Sequence, residues 1–307
     1  MNRREFLRKL FAMGGAAVSS GLLGGPGRLF AQDTSGINTS PDLVAVKGGK
    51  PPDLLDRGLK SFGGMQRFVP RGSTVVIKPN IGWSTPPERG ANTHPSLVRR
   101  IIEHCYNAGA KKVYVFDHSC SYWKSAYEKS GIEAAAKDAE AQVAPGHQER
   151  YYHQISIPHG KILTQAKVHE LILESDVFIN VPILKHHGST RITSAMKNLM
   201  GAVWDRSYYH RHGLHQCIAD FCLFGKPTLN IIDAYTVMFR NGPRGFSRSD
   251  LKLEELLIMS KDIVAADSAA AQTWGTSPNS IEYIRAADEI GIGTMNLDTL
   301  SIERLTI

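Results

Sequence analysis

No two cysteines in this 307-residue chain stand in a C-x-x-C pair; the four present are Cys105, Cys120, Cys217 and Cys222. That spacing suits neither an iron–sulfur cluster nor a thiolate zinc site. An oxidising compartment would permit a disulfide, but spacing assigns none. Several familiar motifs are also missing: no G-x-G-x-x-G follows a strand, and there is no G-x-x-x-x-G-K-[ST], G-x-S-x-G or H-E-x-x-H. Dinucleotide, P-loop, serine-hydrolase and zincin chemistries therefore have no carrier here. Past residue 31 no apolar run approaches the ~20 residues of a spanning helix, so the mature form is expected to have no stable membrane span.

The positive charge is less evenly spread than the total of +7 suggests. Five of the 36 basic residues and one of the 29 acidic ones precede Gln32, which leaves 31 against 28, a net +3 for the remainder. No basic stripe survives that division, and no nucleic-acid partner is expected. The basic residues cluster in a leader instead. Arg3 and Arg4 stand one residue before Phe6-Leu7, and an uncharged Gly/Ala/Ser-rich stretch runs from Met13 to Gly25 toward Ala31. This resembles a twin-arginine export signal, an address removed after translocation of the folded protein. The blander readings are an ordinary secretory signal or a short membrane anchor. The expected organisation is a signal peptide over 1–31, a linker over 32–41 and one α/β domain over 42–307. The expected location is periplasmic or otherwise exported, with the twin-arginine translocation machinery as a partner.

Within the domain, short apolar runs alternate with helical periodicity. Leu43 to Val46, Ser73 to Lys78, Lys112 to Phe116, Asp176 to Val181, Pro227 to Ile232 and Leu253 to Met259 read as strands. A helix is expected near Pro52 to Gln66. Another begins at Pro95, where Leu97, Ile101 and Cys105 recur at i, i+4, and ends before Gly109. Further helices are expected from Ile263, capped by Asp262, and from Ser280. Gln142 to Leu163 is more polar and reads as a small antiparallel excursion. The expected fold is α/β: a mainly parallel sheet with helices on both faces.

In open parallel sheets, ligands bind where the carboxyl ends of the strands meet. Polar residues collect at those ends: Lys78 and Asn80, Asp117 and His118, Asn180, then Lys185-His186-His187, and Asp233. Singly, each is explained by helix capping or solvation. Together they suggest a crevice for a small anionic ligand, carboxylate or phosphate. The densest stretch runs from Lys185 to Gly201. Thr193 is placed to cap a helix beginning at Ser194, on which Thr193, Lys197 and Gly201 share a face. Lys197 sits among apolar neighbours, a costly place for an unpaired charge. It suits a base, a nucleophile or an anion clamp, unless it simply snorkels to solvent.

Four stretches carry a family resemblance: Val75-Val-Ile-Lys-Pro-Asn80, Thr93-His94-Pro95, Asp176 through Lys185-His-His, and Thr193-x-x-x-Lys197-Asn198-x-x-Gly201 with Asn241-Gly-Pro243 beyond. The chain resembles the DUF362 family, named for a domain of unknown function. Many members of that family carry a ferredoxin-like cysteine segment; this chain lacks it, so no iron–sulfur cluster is expected. The layout of strands and of the Lys-His loop is also similar to that of nickel-pincer lactate racemases.

These readings give Lys185, Lys197 and a proton-transfer histidine, His186 or His215, as catalytic candidates. Lys78, Asn80, His94, Asp117, Asn180, Asn198 and Asp233 are the ligand-binding candidates. The cofactor is unknown. A divalent metal is conceivable at His212 and His215, with Asp220 or Asp233 adding an oxygen, although histidines in such a run are usually surface residues. The expected function is an exported protein that binds or transforms a small carboxylate or phosphate, as a lyase- or isomerase-like or redox-associated enzyme. The alternative is a non-catalytic metal-binding or redox-partner maturation protein.

Overall fold

The structure is a computed structural model and describes residues 40–307. The leader read over 1–31 and nearly all of the 32–41 linker lie outside the described residues. In chain order the elements are β1 (Leu43–Lys47), α1 (Pro51–Ser61), β2 (Thr74–Pro79), α2 (Pro95–Asn107), β3 (Lys112–Val115), α3 (Trp123–Lys129), α4 (Ile132–Asp138) and β4 (Gln142–Val143). Then come β5 (Tyr152–Ser156), β6 (Gln165–His169), α5 (Glu170–Glu174), β7 (Val177–Val181), β8 (Ile183–His187), β9 (Arg191–Thr193), α6 (Ala195–Asn198), α7 (Arg206–His212) and α8 (Leu214–Phe221). The chain closes with β10 (Leu229–Met238), β11 (Leu251–Ser260), α9 (Ile263–Trp274), α10 (Glu282–Glu289) and β12 (Ile302–Thr306).

The strands form a 10-stranded sheet ordered β12-β1-β11-β10-β7-β2-β3-β4, with β8 paired to β10 and β9 to β8. From β10 through β4 the neighbours run parallel. β11 is antiparallel to both β1 and β10. The central strands β2 and β7 are buried on both faces, as parallel strands roofed by helices must be. One face packs on α1 and α2 through Leu54, Leu55, Leu97, Ile101 and Cys105. The other packs on α8, α9 and α10 through Ile218, Val264 and Ile284. The α/β reading holds, and the apolar period predicted for α2 is the face that is buried.

Some boundaries move for identifiable reasons. α1 stops at Ser61 because Gly63 and Gly64 follow with φ of 81° and 93°, and Met65–Arg67 forms a separate 3-10 turn. The antiparallel excursion is the β5–β6 hairpin, which lies later than expected, while β4 joins the parallel edge. β10 does not end at Ile232. Its first residues pair with β7, and after Pro182 interrupts that strand its later ones pair with β8, Asp233 facing Ile183. The sheet thus curls over its own rim just where the lysine-bearing β8 begins. Among the described residues no helix is long and apolar enough to cross a membrane.

Candidate functional site

A cavity of about 290 Å³ opens at that rim, between the loops after β2 and β3, the strand β8 and the turn α6. Beneath it lies a buried ion pair: Lys78 Nζ stands 2.7 Å from Asp117 Oδ1, with both side chains nearly inaccessible. Burial lowers the pKa of Lys78, and Asp117 partly opposes that shift. Asp117 Oδ2 also accepts from the Ile81 N–H at 2.7 Å. The Tyr127 hydroxyl bridges the Asp117 backbone N–H and C=O. Gly201 passes directly over this pair. A Cβ there would lie 2.0 Å from Asp117 Oδ1 and 2.8 Å from Lys78 Nζ, so only glycine permits the approach.

An amide network fixes the next layer. Asn80 Nδ2 donates to Asn198 Oδ1 at 3.0 Å, and Asn198 Nδ2 donates to Asn180 Oδ1 at 2.9 Å and to the Lys78 carbonyl at 3.2 Å. Asn180 Nδ2 in turn donates to Asn230 Oδ1 and to the Ala195 carbonyl, each at 3.0 Å. This direction of donation leaves Asn80 Oδ1 free to accept from Lys185 Nζ at 3.0 Å. Lys185 also donates to the Ala91 carbonyl. Among the described residues it has amide and carbonyl partners but no carboxylate, and burial pushes its pKa down to about 7.

Lys197 sits on α6, a single turn whose start is held from another helix. Asp267 of α9 accepts from the Met196 N–H at 3.0 Å and from the Ala195 N–H at 2.5 Å. Buried, Asp267 has its pKa pushed up to about 6. The contact of the Lys197 ammonium is the Met200 thioether, 3.0 Å away. Sulfur is a weak acceptor, and desolvation lowers the Lys197 pKa to about 8. Across the cavity, Arg206 at the start of α7 donates to the carbonyls of His118 and Ser119 and lies 3.2 Å from Cys120 Sγ. His187 also lines the cavity. Burial and the neighbouring lysines lower its pKa to about 3, so its imidazole is neutral. Four basic side chains thus surround the cavity; among the described residues that line it Asp117 is the one carboxylate, and Asp117 already belongs to Lys78.

The structure brings together Asn80, Asp117, Lys185, Lys197 and Asn198 as cavity-lining residues, with Lys78 directly below. Other candidates go elsewhere. His186 points away from Lys185 and His187, as alternation along a strand requires, and its Nδ1 stands 3.2 Å from the Gly242 N–H. Asn180 is buried behind the cavity and positions Asn198. His94 caps α2, accepting from the Ser96 N–H, while its own N–H donates to Asp233 at 2.7 Å. Asp233 is a buried member of β10 that also accepts from the Tyr235 N–H, and it supports the rim rather than lining the cavity.

His212 and His215 do not share a helix face. Gly213, with φ of 131°, breaks the chain into α7 and α8 between them. His212 stacks on Tyr208 at the surface, and His215 lies beside Tyr283 and Glu282. Asp220 holds the Ile162 and Leu163 N–H groups. Among the described residues no group of three or more His, Cys, Asp or Glu stands where it could hold a metal ion. Thr193 lines the cavity but is no helix cap; Asp267, which does not line the cavity, holds the first N–H groups of α6 instead. The cavity residues outside the catalytic and ligand-binding candidates are Arg206, Cys120, His210, Trp83 and His187, the last read from the sequence as a strand-end residue without a role. Only His187 left a signal, since it stands two residues from Lys185 on a strand.

Fold and site together define an α/β protein with a cation-lined cavity at the carboxyl rim of a mostly parallel sheet. The family model described as "Domain of unknown function (DUF362)" matches residues 75–272, and the chain belongs to that family. The match includes every lysine and arginine of the cavity. A thylakoid-associated protein of Synechocystis sp. is 24% identical over 243 residues, covering 76% of this chain and 73% of the relative. A Thermotoga maritima protein of known crystal structure superposes with a TM-score of 0.50 at 10% identity, over 74% of this chain and 60% of its own. The lactate racemase apoprotein from Thermoanaerobacterium thermosaccharolyticum gives 0.48 at 12% identity, over 75% of this chain and 56% of its own. The chain therefore spans under two thirds of either solved structure, and the Thermotoga likeness describes the fold alone.

Proposed function

We propose that the cavity binds a small molecule bearing a carboxylate or phosphate and acts on it. One observation carries this reading: Lys185, Lys197 and Arg206 converge on a small cavity, and none of them has a carboxylate partner among the described residues. Holding desolvated cations without a counter-charge is costly, and an anionic ligand removes that cost. In this reading Arg206 and Lys185 hold the anion, and Asn80 and Asn198 orient it. Lys197, with a pKa of about 8, is partly an unprotonated amine near neutral pH and serves as base or nucleophile. His187 replaces His186 as the proton-transfer histidine, because it is the one that faces the cavity.

The test is calorimetric titration of the protein with lactate and with inorganic phosphate. Wild type should bind at least one of them, and Lys197→Met should weaken binding at least ~10-fold, about 1.4 kcal/mol. Its thermal stability should hold or rise, since the substitution removes a desolvated charge. Equal binding by wild type and variant would refute the assignment. The Arg3-Arg4 leader supports work after export; replacing both with lysine should hold unprocessed protein in the cytoplasm on fractionation, and normal export would overturn that part.

A further inference from the structure

The three buried or half-buried lysines around the cavity are not equivalent, and the difference points to chemistry. Lys78 is committed to Asp117 at 2.7 Å. Lys185 is 2% exposed and spends its N–H groups on Asn80 Oδ1 and the Ala91 carbonyl. Lys197 is half-buried, lines the cavity and, among the described residues, donates only to a thioether sulfur. The titratable and charged groups that face it are Arg206, Cys120, Lys185, His187 and His210. An amine so placed is free to turn its lone pair to the open cavity once deprotonated, and Arg206 lines the same cavity to receive a carboxylate.

We propose that Lys197 is a nucleophile that forms an imine with a small 2-oxo acid, whose carboxylate is held by Arg206 and Lys185. The inference rests on the anion-binding reading and narrows its ligand to a carbonyl acid. The Lys197 Nζ lone pair adds to the carbonyl carbon, and the carbonyl oxygen takes up a proton, giving a carbinolamine. Loss of water then leaves a C=N bond; both amine hydrogens depart with the former carbonyl oxygen, so no oxidant or reductant is needed. A neutral imidazole can relay those protons, and His187 lines the same cavity. Its Nδ1 accepts from the Ser189 N–H at 3.2 Å, which assigns its own proton to Nε2. Once protonated, the imine withdraws electrons from the adjacent bonds, which suits proton abstraction or carbon–carbon cleavage next to the former carbonyl. The cavity volume of about 290 Å³ accommodates a molecule of that size.

The experiment treats the protein with pyruvate or glyoxylate in the presence of sodium cyanoborohydride, followed by intact mass and peptide mapping. The expected result is one reduced adduct per chain, mapped to Lys197, blocked by excess phosphate and absent in Lys197→Arg. Lactate, which lacks the carbonyl, should bind by calorimetry but give no adduct. An adduct spread over surface lysines, mapped to Lys185 or Cys120, or persisting in Lys197→Arg overturns the proposal. So does the absence of any adduct. If lactate or phosphate still binds without trapping, the anion-binding reading survives; if neither binds, both fall together. Mapping on the wild-type protein decides the matter even if the arginine variant does not fold.

Discussion

Replacing Asp117 with asparagine removes the negative half of the ion pair beneath the cavity while keeping the side chain's shape. The amide oxygen can still accept from the Ile81 N–H, at 2.7 Å in the native protein. Lys78, fully buried, then has no anion. Breaking one side of a buried pair costs about 3–5 kcal/mol. Chemistry sets a ceiling on that loss, because Lys78 can shed its proton, and as a neutral amine it accepts from the new amide. From an ordinary lysine pKa, deprotonation at pH 7 costs roughly 4–5 kcal/mol and at pH 9 only roughly 2. The native direction agrees, since burial already pulls the Lys78 pKa below its ordinary value. In the variant the folded state carries one proton fewer than the unfolded state, so its stability rises with pH relative to wild type. Urea unfolding should show Asp117→Asn about 3 kcal/mol less stable at pH 7, with the gap closing by pH 9. The thermal midpoint should fall by roughly 6–12 °C at pH 7. A loss below about 1 kcal/mol, or a gap that widens with pH, would refute the reasoning.

Further expectations concern the supports of the site. Gly201→Ala places a methyl 2.0 Å from Asp117 Oδ1; it should cost about 1–3 kcal/mol and weaken anion binding, checked by urea unfolding and calorimetry. Asp267→Ala leaves the Ala195 and Met196 N–H groups buried without acceptors. It should cost about 3 kcal/mol in urea unfolding and raise hydrogen exchange in the 195–202 turn while other amides hold. His187→Gln should reduce imine trapping at pH 7 at least ~10-fold, whereas His186→Gln, which faces away from the cavity, should leave it within about twofold; the reverse order would return the proton-transfer role to His186.

Much of the fold was legible because its central strands announce themselves. Val75 to Ile77 and Val177 to Ile179 are apolar runs without alternation, as a strand covered on both faces requires. The helix from Pro95 was equally clear in its spacing. β10 was misread because Asp233 looks like a strand end, yet the chain continues and pairs with β8. That pairing depends on where Pro182 sends a strand fifty residues earlier, which no local pattern encodes.

The site divides the same way. Lysines and asparagines on strand ends could be gathered from parallel-sheet geometry, but their ranking needed the hydrogen bonds. Asn180, His94 and Asp233 lie behind or around the rim without lining the cavity, and His186 lies on the opposite side of β8 from Lys185. The alternation that puts His187 beside Lys185 was visible; which of the two histidines it favoured was not, because sequence does not fix the face of a strand. Asp267, 72 residues from Ala195, had no sequence signal for its hold on α6. Arg206 reads as an ordinary surface residue until α7 is placed across the cavity.

The most direct measurement is a crystal structure of the protein soaked in pyruvate or phosphate. Density for an anion should stand within hydrogen-bond distance of Arg206 and Lys185, beside Lys197 Nζ in the ~290 Å³ cavity. A cavity filled only with water, while anions settle on exposed lysines elsewhere, would contradict the account.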